Sequence, residues 1–224
     1  MMYTNILKSL QAENTNRINN AIKAINNNDI ALQRYATQTR WSAYFNQNLS
    51  REKCVEYTTN RIKKEAEKSL KADIASLEKY SNAPTIEAIQ INIDWKRSSV
   101  WGYNPHVTLR IWYEGIFDIE EYTAKASGCN YDKRSHAVAS ALNQCAAIKA
   151  LLCNMKEKEI ENGTEIKKTV SGLDINPHSS GYGAIPFVDG CGMSAIENLL
   201  DKCGFKLTKE HGTKTTDYYW FDRK

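Results

Sequence analysis

No stretch of this 224-residue sequence comes near the roughly 20 consecutive apolar residues that cross a bilayer as a helix. The opening residues, MMYTNILKSLQAENTN, lack the basic segment followed by an apolar one that marks a secretory signal. These two absences lead us to expect a cytoplasmic protein with no membrane partner. The six cysteines, Cys54, Cys129, Cys145, Cys153, Cys191 and Cys203, include no CxxC pair, and His106, His136, His178 and His211 are scattered. Zinc-binding spacing is missing, so we expect no metal, no other cofactor, and free thiols, several of them buried as small apolar groups. No carboxylate pair, Ser-His-Asp order or Walker lysine stands out, and no catalytic residue is assigned.

Charge is nearly balanced overall, at +4, but unevenly spread. Residues 1–84 hold 13 Lys+Arg against 8 Asp+Glu, and residues 85–224 hold 17 against 18. A mildly basic region beside a near-neutral one is compatible with an acidic partner and equally with a solvated helical face.

Residues 1–84 read as helices. Ile6, Leu7, Leu10, Ile18, Ala21, Ile22 and Ile25 recur at helical spacing. NNND at Asn26–Asp29 marks a break, with Asp29 as the next cap. Ser50 is placed to cap a long helix with Val55, Thr59, Ile62, Ala66, Leu70, Ile74 and Leu77 on one side and mixed charges on the other. Asn82-Ala83-Pro84 ends it. The apolar seam of these helices is also a candidate homodimer surface.

From Thr85 the apolar period shortens to 2. Ile89, Ile91, Ile93 and Trp95 alternate, as do Val107, Leu109, Ile111 and Tyr113, which predicts two strands joined by a connection over Ser98–Pro105. Ile119–Ser127 is a third candidate strand. Val138, Ala141, Cys145, Ile148, Leu152 and Met155 then step by 3 and 4, predicting one helix. Ser194 and Glu197 make a capping box for another, Gly204 suits its left-handed C′ position, and Phe205–Lys209 and Thr215–Phe221 form a hairpin whose glycine, Gly212, is expected to supply a positive φ. The expected fold is α+β: a helical region over 1–84, then a domain over 85–224 with an antiparallel sheet, element order β-β-β-α-α-β-β, and helices on one face.

Two glycine-containing stretches invite a functional reading. In GCNYDKRSHAVASALNQC (128–145), Gly128 and Asp132 suit a strand-to-helix turn with a cap, while Tyr131, Lys133, Arg134 and His136 form a polar-aromatic set that capping leaves unexplained. A Cys129–His136 nucleophile pair has no local signature. SSGYGAIPFVDGCGMSAIE (179–197) leads into a helix N-terminus and reads as a loop before a capped helix more readily than as a phosphate cradle. Trp101 and Tyr103 in the first connection are aromatics of the kind that anchor a partner. Asp217, Tyr218, Tyr219 and Trp220 read as sheet packing and cross-strand pairs.

The segments ASGCNYDKRSHAVASALN, GCGMSAIENLLDKCGFKL and EHGTKTTDYYWF resemble a group of small proteins carried by phages and mobile elements of gut bacteria, over about Thr85–Phe221. That resemblance implies an accessory protein that binds and blocks a host macromolecule without catalysis, in the manner of anti-CRISPR inhibitors of RNA-guided nucleases. The partner surface is then Trp101, Tyr103, Tyr131, Lys133, Arg134 and His136. Three strands followed by ASG…DKRSHAVASAL are also similar to the end of a double-stranded-RNA-binding domain, which implies phosphate contacts from the helix start. Only Lys133 and Arg134 stand there, where that family has a denser basic cluster, and the second helix and last hairpin do not belong to that fold. The nucleic-acid alternative uses Arg61, Lys63, Lys64, Lys68, Lys133 and Arg134. A third reading is a small enzyme with Asp132, His136 or His178 converging between the two glycine-containing loops.

Overall fold

The structure, a computed structural model, describes residues 3–35, 50–98, 102–125, 133–163 and 193–224, with the backbone alone at 95–98, 102–104 and 133–136. The chain divides into two compact units, one of residues Thr4–Ala75 and one in which Tyr3 joins Ser76–Lys224.

The first unit holds α1 (Thr4–Asn27), α2 (Asp29–Tyr35) and most of α3 (Arg51–Ser81). Its core joins Ile25, Leu32 and Cys54, with Val55 and Ile62 packed against them. The cap of α2 is Asn28, one residue before the expected Asp29: Asn28 Oδ1 accepts from the N–H groups of Ile30 (2.8 Å) and Ala31 (3.4 Å). Asp29 instead accepts from Arg51 Nε at 2.7 Å. The same guanidinium donates to the carbonyl of Asn26 at 3.0 Å, one of the carbonyls that the end of α1 leaves without a helical donor. Ser50 caps α3 as expected, its Oγ accepting from Lys53 N–H at 3.4 Å. The charged side of α3 carries the i,i+4 pairs Arg61–Glu65 (3.6 Å) and Lys71–Glu67 (3.1 Å).

The second unit is built on β1 (Ile86–Ser98), β2 (Gly102–Tyr113), β3 (Ile116–Lys125), β4 (Phe205–Gly212) and β5 (Thr216–Arg223), with α4 (Lys133–Leu142), α5 (Ala146–Glu161) and α6 (Met193–Lys202) between β3 and β4. The strands form one antiparallel sheet in the order β3-β2-β1-β5-β4. This is the expected α+β class. β1 lies at the centre and pairs with β2 on one side and β5 on the other.

Several local expectations are corrected. Ser98–Pro105 is not a long connection, since β2 already runs from Gly102, opposite Ser98. β3 starts at Ile116, after a tight turn in which Gly115 takes φ +70°, a conformation open to glycine because it has no Cβ. The expected single helix over Val138–Met155 is two. The chain tightens to i→i−3 bonds at Gln144 and Cys145 (3.1 and 3.2 Å), and Cys145 is extended at φ −83°, ψ 119°. The buried Lys149 ammonium donates to Asn143 Oδ1 across this corner. The apolar spacing runs on through the break because Ile148 and Leu152 of α5 are buried, as Val138 and Ala141 of α4 are. Ser194 lies inside α6, which begins at Met193, so it is not the cap residue of a capping box. Gly204 has the expected positive φ, +91°, but Gly212 is not among the positive-φ glycines; a Cβ there would stand 3.3 Å from the Asp217 carboxylate oxygen. Gly128 and Asp132 lie outside the described residues.

The core lies under one face of the sheet. Ile89, Ile91 and Ile93 pair with Ile111, Leu109 and Val107 on β2 and with Phe221, Tyr219 and Asp217 on β5. α4 packs over β2 and β3, and α6 over β4 and against α4. Ala137, Val138, Ala141, Leu142, Ile196, Leu199 and Leu200 are buried there. Small alanines on α4 let the helix approach the sheet closely, which sustains the density of a packed interior.

Candidate functional site: the polar face of the sheet

Side chains alternate across a strand, so the register that buries the isoleucines of β1 sends Gln90, Asn92 and Asp94 to the other face. Their partners follow the same parity. Arg110, Thr108 and His106 lie opposite them on β2, and Trp220, Tyr218 and Thr216 on β5. Beyond β5, Lys209 pairs with Trp220 and His211 with Tyr218 on β4, and beyond β2, Glu121 pairs with Arg110 on β3. This second face is polar and aromatic from edge to edge.

Its aromatic half is ordered. The rings of Tyr218 and Trp220 have centroids 5.8 Å apart at 21°, and His211 continues the row 6.3 Å from Tyr218 at 25°. Lys209 Nζ stands 5.0 Å from the centre of the Trp220 ring, within cation–π range. Tyr218 and Trp220 are half-buried and His211 exposed. On the other flank Arg110 Nε donates to Glu121 Oε2 at 2.9 Å, and Thr216 Oγ1 donates to Asp94 Oδ1 at 2.6 Å. Between the flanks Gln90 and Asn92 are each 8% exposed, short side chains sunk among longer ones. Asn92 Oδ1 is buried and accepts no hydrogen bond among the described residues.

A second polar cluster lies where the sheet meets the start of α5. Tyr113 and Tyr122 both donate to Glu120 Oε2, the former at 2.6 Å, and the Tyr113 hydroxyl is 3.6 Å from Cys145 Sγ. Burial pushes the Cys145 thiol above its ordinary range, outweighing the Ile148 and Ala147 N–H groups and the Tyr113 hydroxyl, which favour the thiolate. Burial also lifts Cys153 and Cys203 to about 12. Such thiols stay protonated and weakly nucleophilic at neutral pH. All four described cysteines are free, as expected, and three are buried; Cys129 and Cys191 lie outside the described residues. Among the described residues no group of three or more His, Cys, Asp or Glu side chains could hold a metal, and no helix is long and apolar enough to cross a membrane.

Trp101 and Tyr131 lie outside the described residues, as do Asp132 and His178. Tyr103 is not in a loop: it sits in β2 opposite Arg97. Lys133, Arg134 and His136 share the first turns of α4. Lys63, Lys64 and Lys68 are exposed on α3, whereas the Arg61 side chain is only 17% exposed and paired with Glu65. Tyr218 and Trp220 do form cross-strand pairs, as read from the sequence, but on the face away from the helices, while Tyr219 and Phe221 enter the core. Sequence reasoning left Asn92, Arg110 and Lys209 unremarked. The signal was present in the polar residues set between the isoleucines of β1. No protein-family model, no curated protein and no solved structure matches this chain.

Proposed function

We propose that this protein binds a macromolecule without chemically altering it, and that the ligand is nucleic acid held on the polar face of the sheet. The row of Trp220, Tyr218 and His211, with Lys209 beside Trp220, carries the reading. Aromatic rings offer stacking surface to bases, and a cation beside them meets the backbone charge. Lys63, Lys64, Lys68 and the first turn of α4 are the basic alternatives. A cytoplasmic location in a bacterial host and the role of a phage or mobile-element accessory protein accord with this reading. The test is binding of purified protein to labelled DNA and RNA by fluorescence anisotropy across a salt series. Micromolar or tighter binding supports the proposal, and no binding at low salt removes it.

A second reading, blockade of a host protein such as an RNA-guided nuclease complex, draws on the start of β3. There Ile116, Phe117 and Ile119 are exposed, Phe117 completely. Exposed apolar side chains set this closely mark contact surfaces. Pull-down with a purified nuclease complex, comparing the parent chain with a Phe117→Ser variant, checks it: equal or absent capture by both counts against it.

A further inference from the structure

We propose that the polar face binds an unpaired nucleic-acid strand, stacking bases on Tyr218 and Trp220 and reading a base edge with the side-chain amide of Asn92. This rests on the nucleic-acid reading above and adds the strandedness and the reading residue. In a duplex both faces of each base are covered by its neighbours, so ring faces have nothing to stack on; in a single strand they are free. The two rings occupy alternate positions on β5 with their planes 21° apart, in one row with His211 and with Lys209 over Trp220, so a base would have to enter at this row. Asn92 sits directly across from Tyr218 in the ladder, and Gln90 directly across from Trp220, so an amide flanks each ring.

The two amides differ. Gln90 Oε1 lies 3.5 Å from Arg110 Nη1, and Asp94, next on the same face, is held by Thr216. The Asn92 oxygen has no donor among the described residues although the residue is more than nine-tenths buried. A buried acceptor without a donor is unfavourable, and a ligand amine that reaches it relieves the deficit. Adenine, cytosine and guanine carry an exocyclic amine that projects from the ring, whereas the donor of thymine and uracil is the ring N3–H, set between two carbonyls that would meet the Asn92 oxygen unfavourably. Binding requires the half-buried side chains over Asn92 to move aside, as an amine replaces their cover.

Charge sets the direction of the strand's backbone. On β2 and β3 Arg110 and Glu121 pair with each other and Lys125 stands opposite His106, while Asp94 on β1 is held by Thr216; along β4, beside the aromatic row, lie Lys206, opposite Asp222, then Lys209 and His211. The phosphates belong at β4 and the bases over β5 and β1. With Lys206 and Lys209 as the cations, affinity falls with salt at a log–log slope of about −1.4, from about 0.7 per phosphate on a single strand. A site on Lys63, Lys64 and Lys68 gives a steeper dependence on duplex.

The experiment is anisotropy with labelled single strands of DNA and RNA, their duplexes, and homopolymers with and without exocyclic amines, using the full chain and the variants Trp220→Ala, Trp220→Leu, Asn92→Leu and a Lys63/Lys64/Lys68→Ala triple variant. Single strands bind at least tenfold more tightly than duplexes. Trp220→Ala and Trp220→Leu each weaken them about tenfold or more, and Asn92→Leu removes the preference for amine-bearing bases, while the triple variant binds single strands as the parent does. Trp220→Leu keeps an apolar cover on the sheet, so it tests the ring even where the alanine variant unfolds. Equal affinity for duplex and single strand, or undiminished binding by folded Trp220→Leu, overturns the inference but leaves nucleic-acid binding in place. Absence of binding to every nucleic acid overturns both readings.

Discussion

The two faces of the sheet are made by alternate residues of the same strands, yet they follow different rules. In β1, Ile89, Ile91 and Ile93 are fully buried and apolar, while Gln90, Asn92 and Asp94 between them are polar and meet Arg110, Tyr218 and Thr216. The helix-covered face maximises apolar area removed from water. The other face carries hydrogen-bonding and aromatic groups joined by ion pairs, hydrogen bonds and ring contacts. At Asn92 a buried oxygen has no donor among the described residues, and the binding reading proposed above draws on that difference between the faces.

The sharpest break of that contrast is Ile91→Ala. It removes a buried side chain from the centre of the sheet and is expected to cost about 2–5 kcal/mol in urea unfolding, whereas Trp220→Ala on the opposite face loses less stability and shows its effect in binding. A stability loss at Trp220 equal to that at Ile91 would mean that the polar face is as much a core as the apolar one. The covered face also makes stability sensitive to alkali. Cys153 and Cys203 are held at about 12 against an ordinary 9.0, so the fold binds their protons more tightly than the unfolded chain does. That contribution is complete below about pH 9 and is lost as pH rises toward 12. Chemical denaturation at a series of pH values checks the slope. The buried Cys153 thiol is expected to resist alkylation at pH 7 until denaturant is added.

Smaller effects sharpen the picture at the edges. Gly204→Ala places a Cβ at φ +91° with nothing within 4 Å, so its cost is conformational, about 1 kcal/mol by thermal melting. Arg61→Ala, which removes an i,i+4 pair in the helical unit, is expected to change stability by about 0.3–0.5 kcal/mol.

Much of this was legible in the chain. The period of 2 in Ile89–Ile93 and Val107–Tyr113 identified the central strands, because a one-residue shift would have exposed every isoleucine. Ser50 and Gly204 declared their helix ends through local chemistry, which needs no distant partner. The corner at Asn143–Cys145 was not legible. Its apolar spacing passes unbroken from α4 to α5, and the Lys149–Asn143 bond that spans it is not a helical-spacing signal. The cap at Asn28 escaped for a related reason: adjacent Asn and Asp are both good caps, and contact between Asp29 and Arg51, 22 residues on, assigns them different tasks.

The sequence by itself determined the α+β class, the parity of each strand and the composition of both sheet faces, because alternation is a property of neighbouring residues. Only the tertiary structure decided that β5 joins β1, and hence that Tyr218 and Trp220 stand across from Asn92 and Gln90 with Lys209 beside them. Strand order arises from contacts between segments more than 100 residues apart, as in the Thr216–Asp94 bond, and no local spacing encodes them.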